Sequence, residues 1–302
     1  MVFTRLAALP VALSVAALAL VAGCSSSGGS NNAAASAEYY VSIGDSYAAG
    51  FQPTAHGKGS TTRNGFAYQL TTDATAKGYH LTLENFGCAG ATTTSLLKTP
   101  GCDAANLGPG AKSYGQQTQA AAAEAFLRAH AGHISLITVS IGGNDITACG
   151  QAADPTTCVA TSLATVKANL TTLMTGLRAA TGTATPIVGI TYPDVLLADY
   201  LAKDAKTKGL ATLSVLAFKS LINPALQGIY TAAGAKFADV TAATGAYGSM
   251  TATTTDPTFG SIPTPVAKVC ELTFMCQFAD IHPRTAGYAL IAHLVLDELP
   301  TR

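Results

Sequence analysis

Short apolar runs punctuate this chain at intervals, and longer stretches of helical character fill the gaps between them. Tyr39–Ile43 reads Tyr-Tyr-Val-Ser-Ile, and Ile134–Ile141 reads Ile-Ser-Leu-Ile-Thr-Val-Ser-Ile. Both are rich in β-branched residues and stop at glycine, the pattern of buried strands. A further apolar run ends at Asn85, and Pro186–Tyr192 and Lys236–Val240 continue the series. Between the strands, Tyr114–His130 is alanine-rich and helical, with no breaker in Ala120–Phe126. Thr212–Ala233 reads as a long helix kinked at Pro224, and Thr285–Leu299 as a closing amphipathic helix. Strands alternating with helices predict an α/β fold whose parallel sheet is covered on both faces.

Four polar patches sit at or near the ends of these predicted strands. Gly-Asp-Ser-Tyr occupies Gly44–Tyr47, Asn-Phe-Gly-Cys-Ala-Gly occupies Asn85–Gly90, and Gly-Gly-Asn-Asp occupies Gly142–Asp145. Asp-Ile-His-Pro, at Asp280–Pro283, precedes the last helix. Ligands of open parallel sheets bind outside the carboxyl ends of the strands, so the four patches are placed to meet. Each patch alone is also an ordinary turn sequence, because Gly, Asp and Ser favour turns for local reasons. Together they supply a serine, a histidine and amide donors. A serine hydroxyl must lose its proton to a base as it attacks, and histidine titrates near neutral pH. Amide donors stabilise the oxyanion that forms on an attacked carbonyl.

The set, in this order, resembles the SGNH (GDSL-type) serine hydrolases, and the resemblance runs from Gly44 to His282. It implies a flavodoxin-like three-layer α/β/α sandwich with a central parallel sheet. It implies Ser46 as nucleophile and His282 as base. The Ser46 and Gly90 backbone N–H groups and the Asn144 side-chain amide would form the oxyanion hole. Gly90 rather than Gly87 takes that role because the family glycine lies five residues beyond the asparagine, here Asn85. The commonest family acid stands three residues before the histidine, a place held here by Ala279. Asp280, two residues before His282, is the expected orienter, since side chains two apart share a face in an extended segment. A backbone carbonyl or water is the alternative, and Asp194 a weaker one. Asp45 and Asp145 are expected to brace their loops. The remaining histidines lack a partner pattern and take surface or packing roles. Ser95–Lys98 matches a Ser-x-x-Lys motif without its companions, and no Gly-x-Ser-x-Gly elbow occurs.

Residues 1–23 read as a lipoprotein signal peptide: Arg5, the apolar run Leu6–Ala22, then Gly23-Cys24. Cys24 is the expected lipidation site, residues 24–37 a flexible Ser/Gly/Asn/Ala tether, and residues 38–302 the hydrolase domain. Six cysteines remain, an even number that suits disulfides in an exported chain. Fifteen pairings are possible, and the local couples favour Cys88–Cys102, Cys149–Cys158 and Cys270–Cys276. No Cys-x-x-Cys pair supports a metal site, and neither metal nor cofactor is expected. Charged residues are 11%, with 17 basic against 17 acidic, which with no basic patch excludes nucleic acid as a partner. The Ala, Thr and Gly usage is similar to that of an actinobacterial genome.

These features predict an exported serine esterase or lipase, monomeric and lipid-anchored to the outer face of the membrane, or else secreted. Acyl esters of short to medium chain length are the expected substrates. A carbohydrate O-deacetylase and an inactive lipid-anchored binding protein are the alternatives. Two segments, Gly50–Gly65 and Tyr247–Lys268, read as polar, mobile loops that shape the pocket. Phe51, Phe66, Phe259, Ile262, Phe274 and Met275 are the apolar candidates near it.

Overall fold

The structure, a computed structural model, describes residues 38–302. The predicted signal peptide, Cys24 and the tether lie outside the described residues. Nine strands are found among the described residues: β1 (Glu38–Gly44), β2 (Phe51–Ala55), β3 (Lys58–Thr61), β4 (Leu81–Asn85), β5 (Ile134–Ser140), β6 (Ile187–Ile190), β7 (Lys236–Ala238), β8 (Thr253–Asp256) and β9 (Gly260–Pro263). Five of them form one sheet in the order β4-β1-β5-β6-β7. Every pairing in it is parallel. The chain goes from β1 out to β4 and then returns to build β5, β6 and β7 on the other side. The order therefore reverses between β1 and β5, the switch point where flavodoxin-like sheets bind ligands. Ser46 follows β1 and Asn144 lies just past β5, so the sheet brings both to that crevice.

Alternate strand residues feed two cores. Val41, Ile43, Ile137 and Val139 pack with the helices Gln119–Ala129, Pro155–Thr181 and Asn223–Ala232. Tyr40, Leu136, Val188 and Ile190 pack with Phe66–Asp73 and Thr285–Asp297. This is the three-layer α/β/α arrangement, with the period-2 alternation of a sheet buried on both faces.

Helix Pro155–Thr181 did not emerge from the apolar pattern because threonine dominates it. The hydroxyls of Thr161, Thr171, Thr175 and Thr181 donate to carbonyls four residues back, which keeps them satisfied within the helix. Asp154 caps its start through the Thr157 N–H. The helix expected at Thr212–Ala233 begins earlier, at Ala205, behind the capping Asp204. Gly209 disguised that first turn. A π turn at Phe218–Ile222 comes just before Pro224, whose missing N–H would break a regular ladder.

The two segments expected as loops instead contain regular structure. Gly50–Gly65 contains the β2–β3 hairpin, paired from Phe51↔Thr61 to Ala55↔Lys58. Tyr247–Lys268 contains the β8–β9 hairpin and the start of helix Thr264–Leu272. Threonine, read as a loop signal, served as a β-former here.

Gly44 closes β1 at a close approach between strands. Its φ is +150°, and a Cβ there would stand 2.0 Å from the Ser140 carbonyl oxygen. Gln119 reads both of its backbone groups: Oε1 accepts from the Gly44 N–H at 2.9 Å, and Nε2 donates to its carbonyl at 3.0 Å. Gly44→Ala is expected to lose about 3 kcal/mol in urea unfolding through overpacking and backbone strain. Gly209→Ala, in a helix with no neighbour within 4 Å, should instead gain up to about 1 kcal/mol.

Candidate active site

The first turn after β1 presents the serine. Asp45 caps the short helix Ser46–Ala49 by accepting from the Tyr47 N–H at 2.9 Å. The Ser46 Oγ lies 2.8 Å from Nε2 of His282, 236 positions later in the chain. Nδ1 of His282 lies 2.6 Å from Asp280 Oδ1. The structure thus brings Ser46, His282 and Asp280 into one line of contacts.

Asp280 reaches the imidazole by a different geometry from the extended one expected. Its Oδ1 also accepts the His282 backbone N–H at 2.9 Å, which makes an Asx-type turn. Ala279, in the left-handed region at φ +50°, reverses the chain before that turn. It is the one non-glycine residue with positive φ among the described residues. Burial pushes the Asp280 carboxyl up. The hydrogen bonds from the His282 ring and backbone, with the nearby charges of His282 and His56, outweigh it and hold the carboxyl below its usual range.

A second contact joins the loops of two proposed oxyanion donors, Gly90 and Asn144. Asn144 Nδ2 donates to the Ala91 carbonyl at 2.9 Å, which fastens the Asn144 turn to the Gly90 loop and leaves its second hydrogen free to donate. The backbone N–H groups of Ser46 and Gly90 have no acceptor among the described residues. Gly90 has φ +85°, and a Cβ there would meet nothing within 4 Å. Its glycine is required by conformation rather than by close approach. Gly87 is the crowded one: a Cβ would stand 2.6 Å from the Ala49 nitrogen. Asp145 braces the same corner by accepting from Thr93 N at 2.9 Å and Thr93 Oγ1 at 2.6 Å.

Three disulfides stand beside these loops, joining Cys88 to Cys102, Cys149 to Cys158 and Cys270 to Cys276. The first lies two residues from Gly90, and the second fastens the turn after Asn144 to helix Pro155–Thr181. The third anchors the segment leading to His282. Cys88, Cys102, Leu96, Thr99 and Tyr114 help to line a cavity of about 250 Å³ that Gly90 also lines and whose walls include neither Ser46 nor His282.

Of the apolar candidates near the pocket, Phe51 reaches the imidazole. The Phe51 ring stands 4.5 Å, centroid to centroid, from the His282 imidazole. The other apolar candidates divide among core and surface: Phe66 is buried beneath the sheet, Ile262 packs on Val266, and Phe259 is exposed. Tyr192 donates to Asp45 Oδ2 at 2.5 Å. Asp194 is turned inward and accepts from Ser214 at 2.9 Å, so it is not a partner of His282. His56, assigned a surface role, is exposed but sits on the Phe278 carbonyl close to Asp280.

A serine–imidazole–carboxylate line thus stands at the switch point of a parallel sheet in an α/β fold. The sequence matches the GDSL-like Lipase/Acylhydrolase family over residues 42–290, and the chain belongs to that family. It is a carboxylic ester hydrolase. No curated protein gives a significant match. Among solved structures, the chain is similar to an extracellular lipase from Streptomyces rimosus, at 18% identity and TM-score 0.51, over 87% of this chain and 99% of that one. It is also similar to the M. smegmatis aryl esterase, at 13% identity and TM-score 0.42, over 87% and 98% of the two chains. A carbohydrate acetylesterase from Sinorhizobium meliloti shares 16% identity at TM-score 0.41, over 86% and 97%. The first of these likenesses is one of fold.

Asp45 gives the site a testable electrostatic signature. Burial lifts its carboxyl from 3.8 to about 6, against the pull of the Tyr192 and Tyr47 hydrogen bonds. Asp194, also buried, rises to about 7 despite its bond from Ser214. Between about pH 4 and these values the folded state binds more protons than the unfolded one, so stability falls as pH rises through that window. Asp45→Asn keeps an acceptor for Tyr47 and removes one ionisation. Urea midpoints at pH 4, 5, 6 and 7 should decline less steeply in this variant, by on the order of 3 kcal/mol in total.

Proposed function

We propose that this protein is an extracytoplasmic serine esterase that hydrolyses acyl esters of short to medium chain length through an acyl-enzyme. The observation that carries the reading is the unbroken line Ser46 Oγ–His282 Nε2–Asp280, at 2.8 and 2.6 Å. In this reading His282 Nε2 takes the hydroxyl proton as Ser46 Oγ attacks the ester carbonyl. Asp280, held ionised by its bonds to His282, fixes the ring tautomer and stabilises the imidazolium that forms. The carbonyl oxygen, now negative, receives hydrogen bonds from the Ser46 and Gly90 N–H groups and from Asn144 Nδ2. Collapse of the tetrahedral species expels the alcohol, which takes its proton from His282. Water then attacks the Ser46 ester by the same route in reverse and releases the acid.

The disulfides support an oxidising compartment. With Gly23-Cys24 after an apolar leader, the protein is assigned a signal peptide over residues 1–23, a lipid anchor at Cys24, a tether over residues 24–37 and a catalytic domain over residues 38–302. Contact between Asp280 and His282 removes the displaced acid as a reason to regard the protein as an inactive binding module.

Turnover of chromogenic acetyl, butyryl, octanoyl and palmitoyl esters at pH 8 tests the reading. Ser46→Ala should abolish hydrolysis and labelling by a fluorophosphonate. Asn144→Ala should lower kcat by about 10²–10³, and Asp280→Asn by up to about 10⁴. Acetyl esters alone would turn the assignment to a carbohydrate O-deacetylase. A folded protein that neither turns over any ester nor reacts with the probe would refute it.

A further inference from the structure

The helical stretch Ala205–Ala232 turns large apolar side chains outward. Leu213, Leu216 and Leu221 are 61%, 60% and 55% exposed. Leu213 and Leu216 share a face at i, i+3 spacing. The π turn at Phe218–Ile222 adds one residue, so Leu221, five beyond Leu216, takes the place that i+4 would hold in a regular helix. Lys206, Lys208 and Lys219 are also exposed on this stretch, and no Asp or Glu occurs between Ala205 and Ala232. Asp194, bonded to Ser214, is fully buried, and Asp239, bonded to Asn223, is partly buried. Just ahead of the stretch in sequence lie Asp204, which caps the helix, and the partly buried Asp199, with Lys203 beside them.

This helix is long and apolar enough to cross a membrane by length and composition alone. Ala211, Ser214, Leu226 and Tyr230 are nevertheless buried against protein, so it is a helix of the folded domain with one bare face. Its two halves differ in what they cover. Asn223–Ala232 packs on β6 and β7, whereas Ala205–Ala217 packs chiefly on Val195–Leu201, beyond the carboxyl end of β6. Thirteen residues span about 20 Å of helix. The exposed leucines of that half therefore stand at the strand-end side of the molecule, where Ser46, Asn144 and His282 gather.

Charge selects the occupant of this face. A second copy, paired isologously, would set lysine opposite lysine with no carboxylate on either helix. Residues 1–37 carry one charge, Arg5, and no acid. An anionic lipid surface complements both the leucines and the lysines.

We propose that the outward face of Ala205–Leu221 docks on an anionic phospholipid surface and turns the strand-end side of the domain toward it. The proposal does not depend on the ester chemistry. The chain contains no tryptophan, so Leu216→Trp in the full-length protein gives a single reporter on the docking face. His133→Trp, exposed at the amino end of β5, gives one at the opposite end of the sheet. With phosphatidylglycerol vesicles carrying brominated acyl chains, Leu216→Trp emission should shift to the blue and fall at least about twofold, while His133→Trp changes little. Adding Lys206→Glu, Lys208→Glu and Lys219→Glu, or 0.5 M salt, should reverse most of the effect. Equal quenching of both reporters, or equal quenching in phosphatidylcholine, would overturn the proposal. So would a dimer mass by light scattering with the Leu216→Trp emission already blue-shifted before vesicles are added. Leu213→Trp replaces the reporter if Leu216→Trp alters the circular dichroism. Soluble-ester turnover of each reporter separates a failure of docking from a failure of the hydrolase reading.

Discussion

A hydrogen bond from the Tyr47 hydroxyl to the Ile281 carbonyl, 2.7 Å long, joins the two ends of the proposed catalytic arrangement. The serine belongs to the turn after the first strand and the histidine to the turn before the last helix, so the chain must bring together segments more than two hundred residues apart. Two more side chains share the work. Gln52 Nε2 donates to the Pro283 carbonyl at 3.2 Å, and the Tyr288 hydroxyl donates to the Phe51 carbonyl at 2.8 Å. Each bond satisfies a backbone group that neither sheet nor helix can reach, which makes it costly to leave unmade. With the third disulfide and the bond from Phe274 N–H to the His282 carbonyl, they fix the imidazole against Ser46 without any strand passing between.

The same economy shapes the interior around the site. Asp45 is buried, and its carboxyl is held by the Tyr192 hydroxyl and the Tyr47 N–H rather than by a cation. A carboxylate supported only by neutral donors keeps a raised pKa, and it ties the turn after β1 to the segment after β6. The loops of the proposed oxyanion donors are fixed in parallel by Asn144 on Ala91 and by Asp145 on Thr93. Preorganised donors are what acyl transfer requires, because they need not reorient as charge develops on the carbonyl oxygen.

The main strands, the parallel sheet and the meeting of four polar patches were legible in the chain, because buried strands and Gly-Asp-Ser or Gly-Gly-Asn-Asp turns leave dense local signals. Helix Pro155–Thr181 and the two hairpins were not. Threonine favours strands, tolerates helices when its hydroxyl bonds back four residues, and is common in loops, so its local preference decides little. The roles of Tyr192 and Gln119 were equally hidden, since each depends on a partner far away in sequence.

Asp280 shows where the two levels part. Its place two residues before His282 was readable, and so was the chemistry that a carboxylate would supply. Whether it reached the ring depended on the backbone of Ala279, on the turn closed by the His282 N–H, and on the carbonyl of Ile281 held by Tyr47. Residue types and spacings along the chain encode strands, turns and chemical groups, because those follow from local sterics and periodicity. The alignment of Ser46, His282 and Asp280 follows from contacts between distant segments, which no local pattern records.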